Sequence, residues 1–110
     1  MTTFDERERS FEKKFIMDEE LRFKAESRRD KLVAEWAAAK LGLSGDAVAA
    51  YVKEVRRADL IEKGDADVFR KIRKDFDDKG VKVSDAELRK ALQDTLAAAM
   101  AQLDAEAAKK

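Results

Sequence analysis

The chain of 110 residues contains no Cys and no His, which excludes disulfide bonds, thiolate metal sites and imidazole chemistry as the basis of its function. Its 24 basic and 24 acidic residues cancel, and they also balance within three successive segments, so neither nucleic acid nor an anionic membrane is an expected partner. No apolar run approaches the about 18 residues of a membrane span and no apolar signal segment opens the chain, so we expect a soluble cytoplasmic protein without direct membrane insertion.

The composition predicts an all-α protein with a single domain. Of the residues, 19 are Ala, Pro is absent and only four Gly occur, which is typical of chains built almost entirely from helices. A chain of this length can bury one modest core. We predict a four-helix bundle over residues 20–106, preceded by a flexible, partly helical N-terminal arm over residues 1–19 and followed by a frayed tail over residues 107–110.

The N-terminal arm carries a narrow aromatic stripe. Phe4, Phe11 and Phe15 are seven and four residues apart, so a helix would place them on one face between flanking charges. Such a stripe buries little apolar surface by itself, and an isolated helix of about 15 residues is only marginally stable in water. We expect the arm to be mostly disordered when free and to fold as it docks in a groove of another protein. The alternative is that its aromatic rings fold back onto the bundle.

The first helix of the bundle is expected to begin after Asp18, which can cap it, and to end at Gly42, because Gly readily adopts the positive φ that ends many helices. Glu20 and Lys24 have the i,i+4 spacing of a helical ion pair, as do Asp18 and Arg22. The side chains predicted to face the core are Leu21, Ala25, Leu32, Val33, Trp36, Ala37, Ala39 and Leu41.

Start and stop signals mark two more helices in the middle of the chain. The second helix is predicted over residues 46–63 with Ser44 as its cap, and the third over residues 66–78 with Asp65 as its cap. A Gly follows each of them. The predicted core-facing residues are Val48, Tyr51, Val52, Val55 and Ala58 in the second helix, and Val68, Phe69, Ile72 and Phe76 in the third.

The fourth helix has the clearest start signal. Ser84 and Glu87 form a capping box, in which each side chain can bind the other residue's free backbone N–H. We expect residues 81–83 to form an extended link whose two valines touch the core, and the helix to run to about residue 106. Its core-facing residues are predicted to be Leu88, Leu92, Thr95, Leu96, Ala99, Met100 and Leu103.

No combination of residues predicts a catalytic or metal site. The serines lack a nearby base, and two of them are explained as helix caps. Asp65 and Asp67 have the spacing that opens a calcium loop, but Phe69 and Arg70 stand where that loop requires a ligand and a Gly. We expect a protein that is not an enzyme and that uses no metal and no cofactor.

Three groups of bundle residues have a structural explanation that competes with a functional one. A basic cluster on the first helix is either a solvated face or a docking surface continuous with the N-terminal arm, and it consists of Lys24, Arg28, Arg29 and Lys31. The acids near the end of the third helix are interpreted as its solvated end, and they are Asp75, Asp77 and Asp78. The large aromatic rings of the bundle are interpreted as core rather than as a ligand site, and they are Trp36, Tyr51 and Phe76.

Several separated sequence blocks share the pattern of one protein family. The arm and first helix contain residues 4–8 (FDERE), 11–15 (FEKKF), 18–29 (DEELRFKAESRR), 36–38 and 41–42, and the later blocks are residues 51–55, 58–59, 64–71, 75–77 and 80–81. In this order, over residues 3–103, they resemble the zeta subunit of alphaproteobacterial F-type ATP synthases.

The resemblance implies an ATPase inhibitor and not an enzyme. Members of this family have a four-helix bundle preceded by a mobile segment that enters an alpha/beta interface of the catalytic head near the rotor stalk and blocks rotation in the hydrolytic direction. Carried onto this chain, that segment is residues 2–19. Its implied contacts with the head are Phe4, Arg7, Arg9, Phe11, Lys14 and Phe15. The implied protein is a monomer when free and acts in the cytoplasm at the membrane-attached synthase.

One departure and one alternative accompany this interpretation. Relatives often carry His just before the residue corresponding to Asp18, whereas this chain has Met17, so pH gating through that imidazole is absent.

The alternative function is a small helical adaptor whose bundle face binds another protein without inhibiting an enzyme. Deletion of residues 2–19 would abolish inhibition in the first case and leave partner binding intact in the second.

Overall fold

The computed structural model describes residues 19–59 and 65–108, and within these ranges the chain forms four α-helices. They are α1 (Glu19–Lys40), α2 (Asp46–Asp59), α3 (Ala66–Lys79) and α4 (Asp85–Ala108). α1 packs against each of the other three helices, most extensively against α4 and α2. The prediction of an all-α four-helix bundle is confirmed. The predicted end of the second helix, at residues 60–64, lies outside the described residues.

Glycine ends α1 and α3 in the same way, as the sequence predicts. Gly42 and Gly80 have φ angles of +77° and +70°, which Gly adopts without strain. After α1, the Leu43 N–H donates to the Ala38 carbonyl at 2.9 Å, and the Gly42 N–H donates to the Ala39 carbonyl at 3.2 Å. An equivalent pair of bonds closes α3. These bonds satisfy carbonyl groups that the last turn of a helix otherwise leaves unpaired.

The predicted caps at the starts of α3 and α4 are present in part. The Ser84 Oγ accepts the Glu87 N–H at 3.1 Å, which is one of the two bonds of the capping box. Asp65 stands at the N-cap position of α3, but its carboxylate makes no capping hydrogen bond. Its backbone carbonyl accepts the Phe69 N–H at 2.9 Å instead. The sequence thus predicts where both helices begin, whereas the side-chain cap expected at α3 is wrong.

The core lies between α1 and the other three helices. Its buried members are Val33, Ala34, Ala37 and Ala38 of α1, Tyr51, Val52 and Val55 of α2, Val68, Ile72 and Phe76 of α3, Val83 of the extended link, and Leu88, Ala91 and Leu92 of α4. The alanines leave α1 narrow at this level, so that the larger side chains of its neighbours can fill the space against it. Burial of each large apolar side chain contributes about 1.5–3 kcal/mol, so this cluster is the main source of stability.

The buried face of α1 is shifted slightly from the predicted one. Ala39 is exposed, whereas Ala34 and Ala38 are fully buried. Trp36 is only partly buried, and it meets Phe76 edge to face, with 5.8 Å between the ring centroids and 69° between the planes. The Lys40 Nζ lies 5.5 Å from the centroid of the Trp36 ring. Trp36 therefore covers the rim of the core, whereas Tyr51 and Phe76 are core residues as predicted.

Replacing one core Phe and one surface Phe tests how much a buried ring contributes to the free energy of unfolding compared with an exposed ring. Phe76 is fully buried, so Phe76→Ala should lower the free energy of unfolding by about 3–5 kcal/mol. Phe23 is 65% exposed, so Phe23→Ala should change it by less than about 0.5 kcal/mol. Urea unfolding followed by circular dichroism measures both values. Similar losses in the two variants would contradict the packing described above.

Candidate functional site

The predicted partner contacts precede α1 and lie outside the described residues. They are Phe4, Arg7, Arg9, Phe11, Lys14 and Phe15. The predicted cap Asp18 lies outside as well. The chain continues from these residues directly into α1, so the first turns of that helix are the described part of the chain nearest to them.

The first turns of α1 present a ring to solvent between two ion pairs. Phe23 is the only large apolar side chain classed as exposed among the described residues. The Lys24 Nζ lies 3.5 Å from a Glu20 carboxylate oxygen, which confirms the predicted pair, and the Arg22 Nε lies 3.4 Å from a Glu26 oxygen. Exposed pairs of this kind stabilise a helix by only about 0.2–0.5 kcal/mol each. They hold the charges beside Phe23 in place without covering the ring.

α4 holds α1 close to the point where the N-terminal arm begins. The Arg28 guanidinium binds both carboxylate oxygens of Glu106, and the Nη2 to Oε1 distance is 3.1 Å. This two-bond arrangement fixes the orientation of both side chains more firmly than a single ion pair does. Because Arg28 lies in the first half of α1 and Glu106 lies near the end of α4, the two helices are antiparallel. The last turns of α4 therefore brace the early part of α1.

The basic cluster predicted on α1 does not form one surface. Arg29 is buried, with 3% of its surface exposed, and Arg28 is engaged by Glu106. Lys24 and Lys31 are exposed. Both interpretations of the cluster, as a solvated face or as a docking surface, are wrong for Arg29, because this side chain points into the bundle.

Three charged side chains instead meet inside the α1–α2 contact. The Arg29 Nε donates to Asp30 Oδ1 at 2.9 Å, and the Arg29 Nη2 lies 3.6 Å from Asp59 Oδ2. Asp30 is 2% exposed, and Arg29 links it to Asp59 of α2. Burial, followed by the effect of the neighbouring Asp59 carboxyl group, raises the pKa of Asp30 to about 8, although the Arg29 charge acts in the opposite direction.

The sequence contains a positional signal for this cluster. Arg29 stands four residues after the buried Ala25 and four before the buried Val33, and Asp30 stands four before the buried Ala34. Both charged residues therefore continue the spacing of the apolar face. Residue type favours the surface for Arg29, and Asp59 is distant in sequence, so the spacing alone indicates burial.

A second polar network links α2 to α3. The Tyr51 hydroxyl donates to Asp75 Oδ2 at 2.8 Å, and burial, followed by this hydrogen bond, raises the pKa of Tyr51 above its ordinary value. The Lys71 Nζ lies 2.9 Å from the same Asp75 oxygen and 3.0 Å from Glu54 Oε1. The interpretation of Asp75 as part of a solvated helix end is therefore wrong, whereas Asp77 and Asp78 are exposed as expected.

This network borders an open groove at the ends of α1 and α3. The groove is lined by Leu41, Leu43, Tyr51, Glu54, Asp75, Asp78 and Lys79. Each of its carboxylates is paired, because Lys71 holds Glu54 and Asp75 and Lys74 holds Asp78. The groove thus presents no unpaired carboxylate among the described residues for proton transfer or for binding a cation.

The described residues also lack a metal-ligating group. No cluster of three or more candidate ligand side chains occurs in residues 19–59 and 65–108. Asp67, which we considered for a calcium loop, lies in the first turn of α3 and pairs with Arg70. Within the same described ranges, no helix is long and apolar enough to cross a membrane.

The hydroxyl of Tyr51 should resist ionisation until the bundle opens. A pKa above the ordinary value of about 10 means that the neutral phenol stabilises the fold at lower pH, and that this contribution is lost as pH rises through the folded-state value. Because Tyr51 is the only Tyr, phenolate absorbance reports on it alone. The absorbance should rise together with the loss of helical circular dichroism. A phenolate signal near pH 10 in a chain that keeps its helices would contradict the Tyr51–Asp75 contact.

Comparison with known proteins identifies a family and a related structure. The family model for ATPase inhibitor subunit zeta matches residues 1–102. A protein structure solved in solution by NMR shares 45% sequence identity with this chain and superposes with a TM-score of 0.69, and the alignment covers 78% of this chain and 98% of that one. No curated protein matches the chain.

The family match agrees with the arrangement of the fold. It includes the residues that precede α1 together with nearly all of the bundle, and the related NMR structure independently supports the helical arrangement. An inhibitor family also supports the expectation of a regulatory protein rather than an enzyme. Because the match covers residues 1–102, the chain belongs to the ATPase inhibitor subunit zeta family, as its sequence blocks indicate.

Proposed function

We propose that this chain is an inhibitory regulatory subunit of the F-type ATP synthase, and that it blocks ATP hydrolysis by inserting residues 2–19 into an alpha/beta catalytic interface beside the rotor stalk. The observation that carries the proposal is the family match, which begins at residue 1 and continues to residue 102. It includes both the segment assigned to inhibition and the helices that support it. The partner is the catalytic head, and the site of action is the cytoplasmic face of the membrane-attached enzyme.

The aromatic stripe supports insertion into a groove between subunits. Helices bind such grooves through apolar side chains that recur on one face at spacings of three, four or seven residues, and Phe4, Phe11 and Phe15 are seven and four residues apart. Flanking charges can then pair with the walls of the groove. The proposed contacts with the head are Phe4, Arg7, Arg9, Phe11, Lys14 and Phe15.

The packing of α1 supports separate roles for the two parts of the chain, in which the arm inhibits and the bundle supports it. α1 is braced by α4 through Arg28 and Glu106 and is held to α2 and α3 by the apolar core. An arm joined to a helix anchored in this way starts from a fixed point. A bundle that rests against the head would raise the effective concentration of the arm at its groove. We accordingly propose residues 1–19 as the inhibitory arm, residues 20–106 as the supporting bundle and residues 107–110 as the tail.

Deletion of residues 2–19 tests which part of the chain inhibits. The full chain should inhibit steady-state ATP hydrolysis by the cognate ATP synthase depleted of this subunit, and the deletion variant should not. Circular dichroism of the deletion variant must show the helical content of the bundle. Loss of inhibition with the helices intact supports the proposal. Equal inhibition by both proteins would assign inhibition to the bundle, and binding without inhibition by either would favour a helical adaptor.

Substitution of Phe11 tests the aromatic stripe within the full chain. Phe11→Ala should weaken inhibition at least about tenfold, which corresponds to about 1.4 kcal/mol and is typical of a truncated anchor residue. Its melting temperature should remain that of the unmodified chain. Phe23→Ala is the matched control, because it removes an exposed ring outside residues 2–19 and should retain inhibition. A fall in melting temperature for Phe11→Ala would mean instead that its ring packs on the bundle.

A further inference from the structure

The solvent side of α2 carries three cations, which we call the α2 basic face: Lys53, Arg56 and Arg57. All three are exposed, and no carboxylate of residues 19–59 and 65–108 forms an ion pair with them. Residues three and four positions apart are neighbours on a helix, so Lys53 lies beside both arginines. The α2 basic face is therefore a compact group of positive charge that is open to solvent.

The acids closest to this face in the sequence bind other partners. Glu54, which follows the first of the three cations, lies 3.0 Å from the Lys71 Nζ of α3. Asp59, two residues after the last of them, lies 3.6 Å from the Arg29 Nη2 inside the α1–α2 contact. The other positions three and four residues from the three cations hold no acid. Local pairing thus leaves the positive charge of the face unbalanced.

The α2 basic face departs from the charge pattern of the other helices. Each of those helices carries an exposed lysine paired with an acid four residues away, and the pairs are Lys24–Glu20 on α1, Lys74–Asp78 on α3 and Lys90–Asp94 on α4. On α2 the residue four positions after Lys53 is Arg57. Like charges at this spacing destabilise a helix, and an acidic surface placed against α2 would relieve their repulsion.

The remainder of this side of α2 is flat. Ala49 and Ala50 are exposed one turn before Lys53, so no long side chain keeps a partner away from the helix there. Asp46 lies seven residues before Lys53, in the first turn of α2, where a carboxylate is stabilised by the positive end of the helix. A partner can therefore approach α2 closely beside its cations.

The face also lies within reach of a partner that contacts the start of α1. Asp59 of α2 lies against Arg29, and Glu19 is ten residues before Arg29, or about 15 Å along the helix. A typical interface covers about 800 Å² of each protein, which corresponds to a patch about 30 Å across. One partner surface is thus wide enough to extend from the start of α1 to the level of the α2 basic face.

We propose that the α2 basic face docks on a carboxylate-rich surface of the catalytic head and holds the bundle beside the groove that takes residues 2–19. This inference rests on the proposed function, because it takes the head as the partner. Guanidinium groups can bind carboxylates through two hydrogen bonds each. Exposed charges also steer a partner during the encounter, so the face acts mainly on the association rate and its dependence on salt.

The decisive variant of the full chain is Lys53→Gln/Arg56→Gln/Arg57→Gln. Its association rate with the isolated catalytic head, measured by stopped-flow fluorescence, should fall about tenfold at about 50 mM salt and approach that of the unmodified chain at about 500 mM. Its melting temperature should be equal or higher, because the repulsion within α2 is removed.

The matched control is Lys74→Gln/Lys82→Gln/Lys90→Gln, which changes the net charge equally through three exposed lysines outside α2. Its association rate should stay within about threefold of that of the unmodified chain, because net charge alone acts weakly at a distance in salt. Equal rates for the α2 variant and the unmodified chain would overturn the proposal. Equal losses in the α2 variant and the control would also overturn it, because net charge and not this face would then be responsible.

Coupling by a water-soluble carbodiimide tests the contact in the unmodified chain, without relying on the folding of a variant. The reagent joins an amine to a carboxyl group that it touches, so an amide should form between Lys53 and an Asp or Glu of the head. Mass spectrometry locates that bond. Coupling of other lysines but not of Lys53 would overturn the proposal, as would loss of binding by the α2 variant to anionic lipid vesicles but not to the head.

The same binding measurement separates this proposal from the proposed inhibition. A chain that binds the head without inhibiting it would contradict inhibition by residues 2–19, and the association rates would still decide whether α2 docks. Inhibition by the unmodified chain with equal association rates in the α2 variant would contradict the docking of α2 alone. Absence of binding by the unmodified chain would overturn both.

Discussion

The contact of α1 with all three other helices is the constraint on which the rest of the structure depends. A helix that is covered on several sides must be narrow where its neighbours meet it, and Ala34, Ala37 and Ala38 provide that narrow section. The larger residues that fill the core come mainly from α2, α3 and α4. The buried face of α1 consists mainly of small side chains rather than of large apolar ones. Its sequence is therefore only weakly amphipathic, although the helix is central in the bundle.

The two halves of α1 have different physical characters. Its second half is fixed by dispersion and apolar burial against the core, whereas its first half carries ion pairs at the surface and a clamp to α4. Surface ion pairs contribute little free energy, so the first half depends on the second for its position. This division is compatible with the proposed role. The segment proposed to insert into the partner precedes the first half of α1. The core anchors this helix through its second half and leaves its first half partly uncovered.

The sequence predicts the helices well because their boundaries are local properties. Gly42 and Gly80 end helices through their own φ angles, and Ser84 binds a backbone N–H three residues away. The predicted solvent exposure fails for Arg29 and Asp75, because each has a partner on another helix. Tyr51 lies 24 residues before Asp75, and Asp59 lies on a different helix from Asp30. Charge alone favours solvent, and only the packed structure shows which charges find partners inside. The contacts expected from residues 2–19 cannot be judged by the same comparison, because they involve a second protein.

The buried charges have a meaning that stability alone does not give. A buried ionic cluster is often no more stabilising than apolar residues of similar size, because desolvation offsets the attraction between its charges. The core of this chain already joins α1 to α2 through Val33, Val52 and Val55, so the contact does not need Arg29, Asp30 and Asp59 for its existence. Arg29 instead lies near a carboxylate on each helix, Asp30 on α1 and Asp59 on α2, so these charges favour the placement of the two helices in which the three side chains meet.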